Sequence, residues 1–160
     1  MTGIALSALL QVSLAVSDTP TTAALYEQAV KRSIESGKPV LVLVGADWCH
    51  YCKIVQRDVL PVLKERGLMD KVEYVYLDHD RDRDLVGRTL RGEIIPEMVM
   101  YRKTADGWKR TDLSGGYKVE EIEGFIKATL KEADAAAAKK PEAQPEAQPA
   151  PAEKTSGDAK

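Results

Sequence analysis

An uninterrupted apolar run at residues 40–44, Val-Leu-Val-Leu-Val, constrains the fold of this chain more than any other feature. A strand with one face in water alternates apolar and polar residues, whereas a strand buried on both faces does not. The run therefore predicts the central strand of a sheet that helices cover on both sides. A chain of 160 residues is long enough to build one such domain and to bury a core without disulfide cross-links between distant segments.

The rest of the pattern alternates strands with helices. The predicted elements are a helix over 21–37, the strand 40–44, a helix after Cys52, a strand over 72–78, a short helix within 80–90, strands over 97–101 and 108–113, and a last helix from Val119. This alternation predicts an α/β fold, a sheet of about four strands with helices on both faces.

Two helices carry more specific predictions. On the first, Leu25, Ala29 and Ile34 are expected to return on the buried face. In the helix after Cys52, Pro61 either kinks the chain or begins a second helical segment, for which Asp58 is a candidate cap.

Both ends of the chain differ in composition from the middle. Residues 1–17 hold a moderately apolar run, and Ala15 and Ser17 are small residues where a signal peptidase reads them, so we predict a signal peptide cleaved after Ser17. The run is shorter than the roughly 20 apolar residues of a membrane-spanning helix, so the mature domain is not expected to insert stably into a membrane. The domain is assigned to 18–133. The Ala-, Pro-, Glu- and Lys-rich segment 134–160 is predicted to be a disordered tail.

The charge pattern excludes one class of partner. The formal net charge is −2, and no cluster of Lys and Arg forms a stripe that would neutralise phosphates. Nucleic-acid binding therefore has no support.

The chain has only two cysteines, Cys49 and Cys52, and they lie three positions apart. They are too few for a disulfide framework or a four-thiolate zinc site, and the very short loop that they close would stabilise the fold only slightly. At the first turn of a helix, unpaired N–H groups favour the thiolate of Cys49, which makes it the attacking nucleophile. Cys52, one turn further and deeper, would resolve the mixed disulfide.

A set of motifs around these cysteines resembles the thioredoxin superfamily. The motifs are Lys38-Pro39 before the apolar strand, Ala46-Asp47-Trp48-Cys49-His50-Tyr51-Cys52-Lys53, Asp78 at the end of the next strand, Ile95-Pro96, and Gly115-Gly116 before the last helix. The likeness is closest to secreted or periplasmic thioredoxin-like proteins. It implies a thioredoxin fold with a central mixed sheet, a disulfide oxidoreductase activity, and a monomer without a cofactor or a bound metal.

The resemblance also implies residue roles. Pro96 would be a cis-proline beside the cysteines, and the backbone of Ile95 would pair with an extended substrate. Trp48, His50 and Tyr51 would complete the surface that contacts substrate. The partners would be protein thiols and disulfides together with a redox-recycling protein, in the periplasm or outside the cell, or otherwise in the cytoplasm.

Three departures limit the resemblance. Leu43 and Tyr74 stand where thioredoxins proper carry a buried acid and a buried lysine, so that proton relay is absent. Glu97 follows the proline in place of Thr and is expected to bring negative charge near the thiolate. The residues between the cysteines are His50 and Tyr51, and a cation at His50 would favour the Cys49 thiolate.

Two other functions remain open from the sequence. Cys49, Cys52 and His50 could instead hold a soft metal ion such as copper or zinc, although no fourth ligand is evident. Alternatively, the domain is an adaptor that binds extended peptides beside Pro96, with incidental cysteines. His79, which follows a strand, is predicted to be a surface residue and not a ligand.

Overall fold

Strand β1, Val40–Gly45, lies in the middle of the sheet, and all six of its residues are buried. The computed structural model describes residues 20–137. The other strands are β2 Glu73–Asp78, β3 Glu97–Thr104 and β4 Gly107–Ser114, in the sheet order β2-β1-β3-β4. Strand β1 pairs in parallel with β2 and antiparallel with β3, and β3 pairs antiparallel with β4. The predicted mixed sheet of four strands is confirmed.

The helices of the described chain are α1 Thr22–Ser36, α2 His50–Ile54, α3 Leu60–Glu65, α4 Arg83–Thr89 and α5 Val119–Ala137. A π-helical turn, Val55–Val59, joins α2 to α3, and a 3-10 turn, Met69–Lys71, precedes β2. Within residues 20–137, none of the helices combines the length and the apolar character that crossing a bilayer requires.

Helices cover both faces of the sheet, as the sequence predicts. On one face, which we call the α2/α5 face, the strands pack against α2, α3 and α5 through Leu41, Leu43, Val55, Leu63, Met98, Met100, Ile122 and Ile126. On the other, the α1/α4 face, they pack against α1 and α4 through Ala29, Val40, Val42, Val44, Val86 and Val99. Successive residues of a strand point to opposite faces, so β1 supplies both clusters.

The buried face of α1 differs from the prediction. Leu25 and Ile34 are 43% and 47% exposed, whereas Ala29 and Ser33 are buried. The Ser33 hydroxyl donates a hydrogen bond to the carbonyl of Lys38, which satisfies a polar side chain beneath the helix. The apolar period identified the helix and the burial of Ala29, but the predictions for Leu25 and Ile34 are wrong, because the small residues Ala29 and Ser33 form the buried face.

The remaining helical predictions have mixed outcomes. Pro61 lies in the first turn of α3, so of the two alternatives, a kink or the beginning of a second helical segment, the structure has the second. Asp58 does not cap that helix, since its carboxylate accepts hydrogen bonds from Arg57. Helix α5 continues to Ala137, so residues 134–137 of the predicted tail are helical. The rest of the predicted tail and the predicted signal segment 1–17 lie outside the described residues.

Candidate active site

Cys49 occupies the N-cap position of α2, directly after the turn that leaves β1. Its amide donates to the carbonyl of Ala46 at 3.1 Å, and its own carbonyl accepts from the amide of Lys53 at 3.2 Å. The amide of Cys52 donates to the Cys49 sulfur at 3.2 Å. A first-turn N–H group therefore points at this sulfur, which is the arrangement that favours a thiolate.

Cys49 and Cys52 are joined by a disulfide bond. Cys49 is 6% exposed and Cys52 is fully buried, so the relative depth of the two sulfurs agrees with the sequence prediction. Cys52 lies against Gly45, the last residue of β1. A Cβ atom at Gly45 would lie 3.1 Å from the Cβ and 3.3 Å from the sulfur of Cys52, so glycine gives the cysteine its space.

The segment before β3 brings Ile95 and Pro96 to the site. The Ile95–Pro96 peptide bond is cis. The side chain of Ile95 packs against the cluster of Ala46, Cys49 and Cys52, while Pro96 is buried and its carbonyl accepts from the amide of Gly115 at 2.8 Å. In the described part of the chain, the N–H and C=O groups of Ile95 have no backbone hydrogen-bond partner.

Trp48 lies at the surface, where 66% of it is exposed. Its indole N–H donates to the Asp80 carboxylate at 2.8 Å, and His79 approaches the other oxygen of that carboxylate at 3.0 Å. The hydrogen bonds from His79 and then from Trp48 lower the pKa of Asp80. His79 is thus a half-exposed residue that orients Asp80, in agreement with its predicted place at the surface.

His50 and Tyr51, the two residues between the cysteines, differ from the buried sulfurs in their exposure. Both are exposed, and their rings meet edge to face with centroids 5.6 Å apart. The ring of Tyr51 also lies over Tyr117, with centroids 4.4 Å apart. Tyr117, from the loop between β4 and α5, was not identified from the sequence, because only the fold brings that loop beside α2.

Glu97 does not act as the sequence predicts. It shares the α1/α4 face of β3 with Val99, whereas Cys52 lies over Gly45 on the α2/α5 side. The carboxylate is 1% exposed and pairs with the Arg110 guanidinium at 3.2 Å. Burial raises the pKa of Glu97, and Arg110 opposes that shift. Arg110 therefore opposes this charge through one carboxylate oxygen, while the other, Oε2, has no partner among the described residues, and the carboxylate faces away from the cysteines.

The strand register adds a residue to this part of the sheet. Leu43 pairs with Tyr76 in the parallel ladder, so Tyr76 is its direct neighbour on β2. Gly45 and Tyr76 are site residues that the sequence analysis missed. A glycine at the end of a strand that otherwise consists of valine and leucine was the available signal for Gly45, because a glycine in a strand often marks a close approach.

The described residues do not support the alternative in which the cysteines hold a metal ion. Among residues 20–137, no group of three or more His, Cys, Asp or Glu side chains is placed to hold a metal ion. The sulfurs of Cys49 and Cys52 are bonded to each other.

Comparisons with known proteins agree with this geometry. A family model described as thioredoxin-like matches residues 21–103, more than half of the chain. The protein disulfide-isomerase tigA of Aspergillus niger is 34% identical over 98 residues, which are 58% of this chain and 25% of that protein. The chloroplastic thioredoxin X of Arabidopsis thaliana is 29% identical over 96 residues, 58% of this chain and 51% of that protein. The chain thus spans a quarter to a half of the length of these curated relatives.

A solved structure confirms the fold. The thioredoxin from Thermus thermophilus superposes with a TM-score of 0.60 at 20% identity, and the match covers 70% of this chain and 88% of that one. The thioredoxin fold expected from the sequence is therefore shown.

Proposed function

This chain belongs to the thioredoxin-like family, and from that membership and the geometry of its cysteines we propose that it is a thiol–disulfide oxidoreductase. The observation that carries the proposal is the Cys49–Cys52 disulfide at the start of α2, with the amide of Cys52 directed at the Cys49 sulfur. A structural cross-link is a weaker explanation, because so short a loop adds little stability.

In the reducing direction the reaction has two steps. The Cys49 thiolate attacks one sulfur of a substrate disulfide, forming a mixed disulfide and releasing the other substrate sulfur as a thiolate. The Cys52 thiolate then attacks the Cys49 sulfur, which forms the Cys49–Cys52 bond and releases the second substrate thiolate. The substrate gains two electrons and the protein loses two. The reverse sequence oxidises a dithiol.

The surface around Cys49 suits a protein substrate. Trp48 and Tyr51, which flank Cys49 in the chain within two residues, expose aromatic surface, and Ile94, which precedes Ile95, is 60% exposed. The unpaired backbone groups of Ile95 suit hydrogen bonding to an extended chain, which is how strand addition recognises peptides. We therefore propose protein thiols and disulfides as substrates, with a second redox protein to recycle the pair.

Substitution of the resolving cysteine tests this function. The Cys52→Ser variant should accumulate substrate proteins in mixed disulfides through Cys49, because the first attack remains and the second is removed. Cys49→Ser is the matched control and should trap nothing. Multiple-turnover reduction of insulin by the parent protein should be lost in both variants. Undiminished turnover in Cys52→Ser, or equal trapping by the two variants, would contradict the proposal.

For the compartment we propose export to the periplasm or the cell exterior. The support is the sequence of residues 1–17, whose apolar run ends in small residues suited to signal peptidase. N-terminal sequencing of the protein recovered from a periplasmic fraction should begin at Asp18. Recovery of the uncut chain from the cytoplasm would contradict export.

A further inference from the structure

The hydroxyl group of Tyr76 is buried on the α2/α5 side of the sheet. Among the described residues it has no hydrogen-bond partner. The structure satisfies most buried polar groups, since an unmade hydrogen bond costs the full desolvation of the group. An unpartnered hydroxyl beside a reactive pair therefore invites a chemical explanation.

The ring of Tyr76 reaches the same space as Cys52. The Cβ position of Gly45 lies 3.1 Å from Cε2 of Tyr76 and 3.3 Å from the sulfur of Cys52. Both side chains thus fill the gap that glycine leaves at the end of β1. The ring atom of Tyr76 that borders this gap is Cε2, which neighbours the carbon that bears the hydroxyl.

The surroundings keep this phenol protonated. Burial raises the pKa of Tyr76, and the carboxylates of Asp78 and Asp47 raise it further. The side-chain amide of Gln56 and the Arg81 guanidinium act in the opposite direction, although Gln56 completes no hydrogen bond of good geometry with the hydroxyl. Tyr76 is therefore a neutral hydrogen-bond donor across the working range of a thiol.

We propose that the Tyr76 hydroxyl donates a hydrogen bond to the Cys52 sulfur whenever the disulfide is open. The inference rests on the proposed oxidoreductase function. In the disulfide state the sulfur carries no charge and the donor is unmatched. Reduction creates a buried thiolate at Cys52. A hydrogen-bond donor that is already in position stabilises this charge more than a donor that must first reorganise. Tyr76 keeps its proton while Cys52 attacks Cys49, so the step adds no reactant to the exchange.

The proposal makes Tyr76 a determinant of the reduction potential. A hydrogen bond made only to the Cys52 thiolate lowers the pKa of that thiol and stabilises the reduced protein. The disulfide then becomes more oxidising. Loss of the hydroxyl should have the opposite effect on both quantities.

The test is Tyr76→Phe, with Tyr74→Phe as the matched control. Tyr74 lies on the same strand and packs against the same core cluster as Tyr76, and burial likewise raises its pKa. Each substitution removes one oxygen atom. In a Cys49→Ser background Cys52 is the only cysteine, so the absorbance of its thiolate can be titrated without ambiguity.

Tyr76→Phe should raise the pKa of Cys52 by about one unit, a tenfold change in its ionisation constant. In the two-cysteine protein, the equilibrium constant with glutathione should move toward the disulfide by about tenfold, or about 30 mV, at pH values where Cys52 is ionised. The shift should shrink at lower pH, where the thiol is protonated. Tyr74→Phe should change neither quantity.

A folding measurement separates this role from a structural one. Because the hydroxyl is unpartnered in the disulfide form, Tyr76→Phe should leave the urea unfolding midpoint of the oxidised protein unchanged or higher. An oxidised variant of lower stability, or an unshifted Cys52 pKa, would overturn the proposal. The unfolding measurement and the Cys52 pKa measurement use no substrate. A failure of the Tyr76 proposal is therefore distinct from a failure of the trapping experiment, which tests the oxidoreductase function itself.

Discussion

The two faces of the sheet treat their buried polar groups differently. On the α1/α4 face the Glu97 carboxylate is paired with Arg110, which also contacts Asp112 and the Tyr101 hydroxyl. On the α2/α5 face the ring of Tyr76 and Cys52 both border the space beside Gly45, and the Tyr76 hydroxyl has no hydrogen-bond partner among the described residues. The Glu97 carboxylate is paired through one oxygen only, and its other oxygen, Oε2, has no partner among the described residues. The two faces therefore differ in that Glu97 has a counter-ion, whereas the Tyr76 hydroxyl has no partner at all among the described residues.

This difference follows the chemistry of the cysteines. A buried charge without a partner is costly at all times, so Glu97 needs Arg110 whether the disulfide is open or closed. A donor is useful beside a group whose charge appears only during the reaction. The α1/α4 face therefore depends on Arg110 to keep Glu97 paired, whereas on the α2/α5 face Tyr76 is proposed to tune the reactivity of Cys52.

The largest effect is expected from removing the cation on the α1/α4 face. Arg110→Met should leave the Glu97 carboxylate buried and unpaired, which lowers the free energy of unfolding by about 3–5 kcal/mol. Urea denaturation at neutral pH measures this loss. The Cys52 pKa in the variant should stay at its parental value, because Glu97 faces away from the cysteines.

An exposed ion pair provides the control for that variant. Arg32→Met removes the 2.7 Å contact with Glu73, in which the arginine side chain is 50% exposed, and should cost less than about 1 kcal/mol. Equal losses in the two arginine variants would mean that the Glu97–Arg110 pair contributes no more than a surface contact.

A substitution at Gly45 acts on the opposite face. Gly45→Ala places a methyl group 3.1 Å from both Cys52 and Tyr76, so the two side chains must move apart. We expect a loss of about 1–3 kcal/mol in the stability of the oxidised protein. Gly87→Ala, in α4 with open space around it, should be neutral or slightly stabilising in the same urea titration. A Gly45→Ala variant as stable as the parent would mean that Cys52 and Tyr76 are not tightly packed there.

The sequence predicted those parts of the site that depend on local pattern. The apolar run at 40–44 identified the central strand, and the spacing of Cys49 and Cys52 after it identified the start of α2. Both inferences rest on properties of neighbouring residues, namely the absence of polar alternation and the unpaired amides of a first helical turn. Neither inference required knowledge of which helices and strands pack against each other.

The errors share a physical cause, which is that a side chain's neighbours depend on register and helix rotation. Glu97 was expected near the thiolate because it follows Pro96, yet strand alternation turns it to the other face. Leu25 was expected to be buried together with Ala29, but the rotation of α1 places Ser33 beside Ala29 and leaves Leu25 43% exposed. The sequence made no prediction for the neighbour of Leu43, and Tyr76 was identified there only from the pairing of β1 with β2.

A smaller effect is expected at the rim of the cysteine face, where Tyr51 lies over Tyr117. Aromatic pairs of this geometry contribute about 0.5–1.5 kcal/mol beyond the area that they bury. A double-mutant cycle with Tyr51→Leu and Tyr117→Leu should therefore yield a coupling energy of that size in thermal or urea unfolding. Strictly additive losses would show that the two rings do not interact in solution.

The smallest effect concerns the exposed carboxylate of Asp80, which orients Trp48 beside Cys49. Hydrogen bonds from His79 and Trp48 hold the pKa of Asp80 below its ordinary value of 3.8. For a carboxyl group with a lowered folded-state pKa, the stabilisation is complete above the unfolded pKa and is lost as the pH falls through the folded value. Trp48 should therefore stay anchored near neutral pH and be released only in acid.

In a Trp108→Phe background, Trp48 is the only tryptophan and its fluorescence reports this release. We expect a transition with a midpoint below pH 3.8, within the range where far-ultraviolet circular dichroism shows the fold intact. Asp80→Asn should abolish the transition. His79→Gln should move the midpoint upward, because the interaction that lowers the pKa of Asp80 most would be weakened. A midpoint at or above 3.8, or one that His79→Gln leaves unmoved, would show that Asp80 does not anchor Trp48 through this pair of hydrogen bonds.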